Sequence, residues 1–203
     1  MKHFFLTGEI QIGKSTVIRK TLADLNVNYG GFRTCFSHDR LAADRGLYIS
    51  RAETEPLYDE AHRVARFCPG EQAPQVFTEC FDTLGAEFIL HAANGATLLV
   101  MDELGDMERD AGRFQAAVLA ALEGKTPILG VIKLSAVGWV NQIREHPNVE
   151  LLTVNADNRD ALPEQLSRAL QENFPALQEN FPALRQLKKD CERAWREFPW
   201  SKY

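Results

Sequence analysis

At 203 residues the chain is long enough for one domain with a substantial buried core. Apolar and charged fractions of 45% and 25% fit a soluble globular protein, and a net charge of −5 excludes a general nucleic-acid or anionic-membrane binder. The four cysteines (Cys35, Cys68, Cys80, Cys191) are scattered without metal-ligand spacing and no apolar run nears the roughly 18 residues of a membrane helix, which excludes a disulfide framework, a zinc site and a membrane span.

In chain order, strand-like and helix-like stretches alternate, the pattern of an α/β fold with a mostly parallel sheet flanked by helices. His3–Thr7 reads as a short buried strand. Directly after it, Gly8-Glu9-Ile10-Gln11-Ile12-Gly13-Lys14-Ser15-Thr16 fits G-x-x-x-x-G-K-[ST], and Val17, Ile18, Leu22 and Leu25 then recur at helical spacing. Phosphate binding needs this order of strand, glycine-bounded loop and helix. Gly8 and Gly13 let the backbone approach phosphate oxygens, while the amides of residues 9–15 and the helix N-terminus supply partial positive charge. Lys14 is placed to bridge the β- and γ-phosphates of a nucleoside triphosphate (ATP, GTP or another), and Ser15 to ligate Mg²⁺. Gln11 is expected at positive φ, and the Glu9 side chain must turn outward to avoid the phosphates. Because the motif begins at Gly8, loss of a leader of about 15–30 residues would destroy it, so no cleaved signal is expected. A cytoplasmic monomer is the resulting expectation.

Residues 30–36 and 46–50 read as two strands joined by a polar turn over 37–45. Residues 56–68 and 75–93 read as helices, broken at Pro69-Gly70. Residues 97–101 form an apolar strand that ends at Asp102 and Glu103, and a buried strand ending in Asp is the usual partner of a phosphate loop. Asp102 would hold Mg²⁺ through water, opposite Ser15, and Glu103 would orient or deprotonate an attacking water. That adjacency favours hydrolysis over simple binding. A helix with Phe114, Ala117, Val118, Ala121 and Leu122 on one face ends near Gly124, followed by strand 127–132, helix 136–145, strand 149–154 and helix 160–172. Lys133 and Ser135 would face the γ-phosphate if strand 127–132 lies between the two motif strands. Arg109, Arg144 and Arg159 are further candidate cations. After the last strand, Asn158 and Arg159 either border the base or start a helix with an Asx cap. No N-K-x-D occurs, so guanine selectivity is not supported.

Residues 169–175 (ALQENFP) are repeated at once as 176–182, and a Pro in each copy forbids one continuous helix. This is a tandem duplication in a tolerant surface segment. The basic, aromatic tail over 185–203, with Trp195, Phe198 and Trp200, is expected either to pack back on the domain or to extend from it as a partner- or membrane-contact helix. The organisation is thus a phosphate-loop domain over 1–170, then the duplicated segment and a helical tail over 171–203.

Five stretches, in order over roughly residues 3 to 170, together resemble the nucleoside-triphosphatase family typified by the thermophile nucleoside triphosphate phosphohydrolases and the cancer-related nucleoside triphosphatase. They are Phe5-Leu6-Thr7-Gly8 through Thr16, Gly31-Phe32-x-Thr34, Met101-Asp102-Glu103-Leu104-Gly105-x-Met107-Glu108, Ile128-Leu129-Gly130, and Asn158-Arg159. The resemblance implies a P-loop NTPase with an extra strand between the two motif strands. It also implies slow, Mg²⁺-dependent hydrolysis of several nucleoside triphosphates to diphosphate and phosphate. Where the family carries Lys in D-E-[IL]-G-K-M-E, this chain has Asp106, so turnover would be slower or the cation would come from Lys133 or an Arg. Residues 51–75 match weakly. Two rival functions share the same loop. One is a kinase that transfers the γ-phosphate to a small molecule or nucleotide, with a lid drawn from Arg40, Arg45, Arg51, Arg63 and Arg66. The other is a nucleotide switch whose tail docks on a protein partner.

Overall fold

The computed structural model describes residues 2–37 and 45–177. Strand β1 (His3–Thr7) is buried along its whole length, and α1 (Lys14–Leu25) turns Val17, Ile18, Thr21 and Leu25 inward at helical spacing. Asn26 ends α1 in the left-handed conformation, donating its N–H to the Leu22 carbonyl. Next come the two expected strands, β2 (Tyr29–Phe36) and β3 (Arg45–Arg51), which pair antiparallel.

The helix expected over 56–68 does not form. Glu60–His62 is a single 3-10 turn capped by the Asp59 side chain, and Arg63–Phe67 is a strand, β4, antiparallel to β3. Val64 and Ala65 are fully buried there. So short an apolar run does not separate strand from helix by periodicity, and the free edge of β3 decides the outcome. β5 (Gln75–Val76) extends the same meander, which moves the following helix start to Thr78. From there α2 (Thr78–Cys80), a π-helical turn (Phe81–Gly85) and α3 (Ala86–Gly95) form one helical run.

β6 (Leu98–Leu104) runs on through Asp102 and Glu103 instead of stopping before them. After α4 (Gly112–Leu122) come β7 (Ile128–Ile132), α5 (Val140–Arg144), β8 (Val149–Thr153) and α6 (Leu162–Asn173). α5 is shorter than the expected 136–145: ahead of it the Lys133 carbonyl accepts the Ala136 N–H in a tight turn at 3.1 Å, and the Arg144 guanidinium donates to the Lys133 and Ala136 carbonyls at 2.8 and 2.6 Å. α6 ends ahead of Pro175, and Phe174 and Leu177 stay buried beside it. Outside the described residues lie Arg40 and most of the turn after β2, most of the second heptad copy, Cys191, and the tail with Trp195, Phe198 and Trp200. Cys35, Cys68 and Cys80 are free thiols. Among the described residues no helix is long and apolar enough to cross a membrane.

The strands form one eight-stranded sheet in the order β5-β4-β3-β2-β6-β7-β1-β8. From β2 to β8 the pairings are parallel, and the β3–β4–β5 meander extends the sheet antiparallel. β7 separates β6 from β1, as the resemblance implies. Alternation along the strands fills two apolar layers. Phe4, Leu6, Leu98, Val100, Leu129 and Val131 pack toward α1 and α6, while Phe5, Leu99, Met101, Ile128 and Ile132 pack toward α3, α4 and α5. The parallel strands bring the loops after β1, β6, β7 and β8 to one carboxyl edge, where open α/β sheets hold ligands.

Candidate active site

The loop between β1 and α1 is shaped by its glycines. Gly8 has φ 142, and a Cβ on it would stand 2.5 Å from the Val154 carbonyl oxygen; Gly13 has φ 110 with open space around it. Gln11 takes φ 63, the strained position expected for it, and Glu9 is exposed. α1 begins with no side-chain cap and no acid in its first turn, so its first amides and positive dipole end face the loop uncompensated by the helix itself. Lys14 is buried, at 8% exposure, and its Nζ donates to the Gly8 and Glu9 carbonyls, both at 2.9 Å. The ammonium therefore lies inside the ring of its own loop.

Two strands away, β6 delivers Asp102 and Glu103 to the same edge. The Asp102–Glu103 peptide is cis, and the ladder to β7 shifts register between Met101 and Leu104. Burial pushes the Asp102 carboxyl up to about 6, against the pull of the Ser15 hydroxyl, which donates to it, and of Lys14 and Arg33; Glu103 adds to the rise. Burial also raises Glu103, and the ammonium groups of Lys14 and Lys133 oppose that rise. Ser15, Asp102, Glu103, Lys14 and Lys133 thus act on one another within a single cavity of about 580 Å³.

A second set of contacts fixes the far wall. Lys133 Nζ lies 3.6 Å from Asp106, whose other carboxylate oxygen accepts the Val137 N–H at 3.3 Å. The turn between them is held by Lys133 N–H to the Leu104 carbonyl at 2.9 Å and by Trp139 Nε1 to the Gly105 carbonyl at 2.8 Å. Asp106 therefore positions a cation from the neighbouring strand. Glu108 is nearly inaccessible and accepts the Gly105 N–H at 2.8 Å. Sequence reasoning gave it no role; its only signal was membership of the motif after β6.

Burial raises Glu108 to about 7, with the Gly105 amide pulling the other way. The folded protein keeps this proton to about pH 7, whereas the unfolded chain releases it near its ordinary 4.5. Between those values the unfolded state binds fewer protons, so stability falls as pH rises and the loss is complete above the folded value. Glu108→Gln is expected to be near neutral at pH 5 and to add about 1–3 kcal/mol at pH 8. Parallel thermal melts check this, and an equal shift at both pH values would remove the carboxyl from the pH dependence.

Of the residues singled out from sequence, Gly8, Glu9, Ile10, Gln11, Lys14, Ser15, Asp102 and Glu103 line this cavity, as do Lys133 and Ser135. Ile12 and Gly13 complete the loop behind it, and Thr16 faces a different cleft along α1. Asn158 and Arg159 stand outside the lining. The Asn158 side chain accepts the Asn155 N–H at 2.9 Å and donates to the Thr153 carbonyl at 2.8 Å, which ties down the turn before α6; Arg159 is exposed. Arg144 is committed to the carbonyls after β7, and Arg109 Nε donates to the Asp106 carbonyl at 3.0 Å. Sequence reasoning missed the apolar wall of Phe36, Leu47 and Phe67 opposite the loop, which comes from the β2–β3–β4 meander.

The sequence matches the family model described as NTPase over residues 3–167. The nucleoside-triphosphatase THEP1 of Thermofilum pendens is 32% identical over 184 residues, covering 83% of this chain and 95% of that protein. The protein of the same name from Methanocaldococcus jannaschii is 29% identical, covering 80% and 93%. In fold, the crystal structure of THEP1 from Aquifex aeolicus superposes with a TM-score of 0.67 at 23% identity, over 84% of this chain and 99% of that one. The solution structure of a human cancer-related nucleoside triphosphatase gives 0.66 at 24% identity, over 85% and 98%.

Proposed function

This chain belongs to the NTPase family, and from that premise we propose that it hydrolyses nucleoside 5′-triphosphates to nucleoside diphosphate and phosphate, slowly, with broad base specificity and with Mg²⁺. The observation that carries the reading is the meeting of Lys14, the Ser15–Asp102 pair and Glu103 in one cavity. The loop amides and the helix N-terminus hold the phosphate tail, and Lys14 exchanges the Gly8 and Glu9 carbonyls for phosphate oxygens. Ser15 and Asp102 form a hydroxyl–carboxylate pair of hard oxygen donors, the set that suits Mg²⁺, and a half-buried carboxyl raised to about 6 gains from a cation beside it. Among the described residues no three acidic, His or Cys side chains cluster as a metal cage, so phosphate oxygens and water would complete the coordination. When bound, the ion would neutralise charge on the β- and γ-phosphate oxygens.

Glu103 accepts a proton from water as the water oxygen bonds to the γ-phosphorus. The bond to the β-phosphate oxygen breaks in line, and the diphosphate leaves. Lys133, steadied by Asp106, places a second ammonium at the same wall. The kinase reading loses support because two of its lid arginines are engaged elsewhere, Arg51 with Glu87 at 3.3 Å and Arg63 with Glu60 at 2.7 Å. Asn158 and Arg159 remain candidates for the base only through the loop that abuts Gly8 at Val154.

The test is phosphate release from ATP, GTP, CTP and UTP with and without Mg²⁺. All four are expected to turn over within about 200-fold of one another, since a methylene-scale difference in base contact is worth about 10–200-fold. Release should vanish with chelator. Phosphate release no faster than in a Lys14→Ala control would end the hydrolase reading, and a single active triphosphate would end the claim of breadth.

A further inference from the structure

A second cleft of about 580 Å³ opens on the other side of Ser15, between α1 and β2, and apart from Ser15 and Asp102 its lining takes no part in the phosphate chemistry described above. Its floor is apolar, made by Ile18, Leu22, Val27, Tyr29, Ala52 and Val100. It arises because α1 and α6 cover only the β6, β7, β1 and β8 part of their face of the sheet, leaving β2 and the end of β3 beside α1 uncapped among the described residues. The rim is cationic. Arg19 on α1 and Arg33 on β2 face the cleft, and neither forms an ion pair among the described residues. One Arg33 Nη donates to the Thr54 carbonyl, which fixes the guanidinium, while its Nε is buried without a hydrogen-bond partner. The charge that Arg33 brings to the cleft wall is delocalised over a planar fork of N–H donors, the geometry that suits a phosphate oxygen. Ser15, Thr34 and Asp102 line both this cleft and the phosphate-loop cavity, so an occupant's anionic end would stand beside the Ser15–Asp102 pair.

We propose that this cleft binds a second small molecule together with the triphosphate. Its ligand joins a phosphate monoester, held by Arg33 and Arg19, to a flat ring system laid on Tyr29 and the aliphatic floor, the chemistry of a nucleoside monophosphate. The volume suits such a ligand, since small-molecule pockets run from about 300 to 1,000 Å³. Charge selects the phosphate end because Asp102, already hydrogen-bonded by Ser15, is the only acid in the lining among the described residues. The proposal rests on triphosphate binding at the phosphate loop for the joint complex, while the monophosphate itself is held by α1 and β2 without Lys14 or Glu103.

The test saturates the full-length chain with a non-hydrolysable triphosphate analogue and Mg²⁺, then titrates AMP, GMP, CMP and UMP by calorimetry. At least one monophosphate is expected to bind at one equivalent while the analogue stays in place. Its affinity should fall at least tenfold in Arg33→Met, and likewise in Ala23→Trp, whose indole would fill the cleft from an exposed position on α1. The Ala23 variant should keep wild-type melting and analogue binding, so that lost monophosphate binding there is not misfolding. In Lys14→Ala without analogue, the monophosphate should still bind. The proposal is overturned if none of the four binds the saturated protein, if the monophosphate displaces the analogue one for one, if both cleft variants bind it as wild type does, or if Lys14→Ala abolishes its binding.

Discussion

Glu103→Gln is expected to slow phosphate release by roughly 10²–10⁴-fold while leaving triphosphate affinity almost unchanged. The substitution keeps the size and the hydrogen-bonding oxygen of the side chain, so a water can still be oriented beside it. It removes the capacity to accept a proton as the water attacks. Burial raises the Glu103 carboxyl, and Lys14 and Lys133 counter that rise, so its basicity depends on both ammonium groups. The expected signature is a fall in kcat with KM preserved, because the lost interaction operates only on the way to the transition state. Asp102→Asn should behave differently. It weakens the oxygen-donor pair with Ser15, so the concentration of Mg²⁺ needed for half-maximal rate should rise. If Glu103→Gln turns over within a few-fold of wild type, another group or the substrate itself takes the proton and the adjacency of the two acids has no catalytic meaning.

The loop and the acids at the end of β6 were legible because what defines them is local. Gly8 to Ser15 is a run of consecutive residues between an apolar strand and an amphipathic helix, and Asp102 and Glu103 directly follow an apolar run. Even the left-handed backbone at Gln11 could be read from position alone. β4 could not be read, because Arg63–Phe67 becomes a strand through the hydrogen bonds of β3, a decision made by tertiary pairing. Lys133 could be named as a replacement cation, but its direct contact with Asp106 could not, for a related reason. One partner follows β6 and the other follows β7, and only the interposition of β7 between β6 and β1 sets them face to face. The exchange of a cation for an acid at Asp106 reads from sequence as a deficit; in three dimensions the acid anchors a lysine from the adjacent strand. The Asn158 side chain looked free to meet a base, yet its hydrogen bonds to Asn155 and Thr153 serve the turn into α6, the Asx alternative that the sequence left open.

Lys14→Ala should weaken triphosphate binding by about 30- to 5,000-fold, the equivalent of the 2–5 kcal/mol lost when one partner of a buried, hydrogen-bonded charge pair is truncated. The side chain is buried, and its ammonium is already gathered against the Gly8 and Glu9 carbonyls, so little further ordering is needed when phosphate oxygens replace them. The free protein should respond as well. Lys14 holds down both Asp102 and Glu103, and without it both carboxyls rise further. Any residual Mg²⁺-dependent nucleotide binding should therefore begin to fail at a higher pH than in wild type, because the ionised Asp102 that a cation requires appears later as pH rises. Lys14→Arg restores the charge but not the compact three-donor head that fits between two carbonyls, so it should recover only part of the affinity. Equilibrium binding of a fluorescent triphosphate across pH 5–8 reads both effects together. Wild-type affinity in Lys14→Ala would mean that the backbone ring alone holds the ligand, while weakened affinity with an unmoved pH profile would separate Lys14 from the two acids.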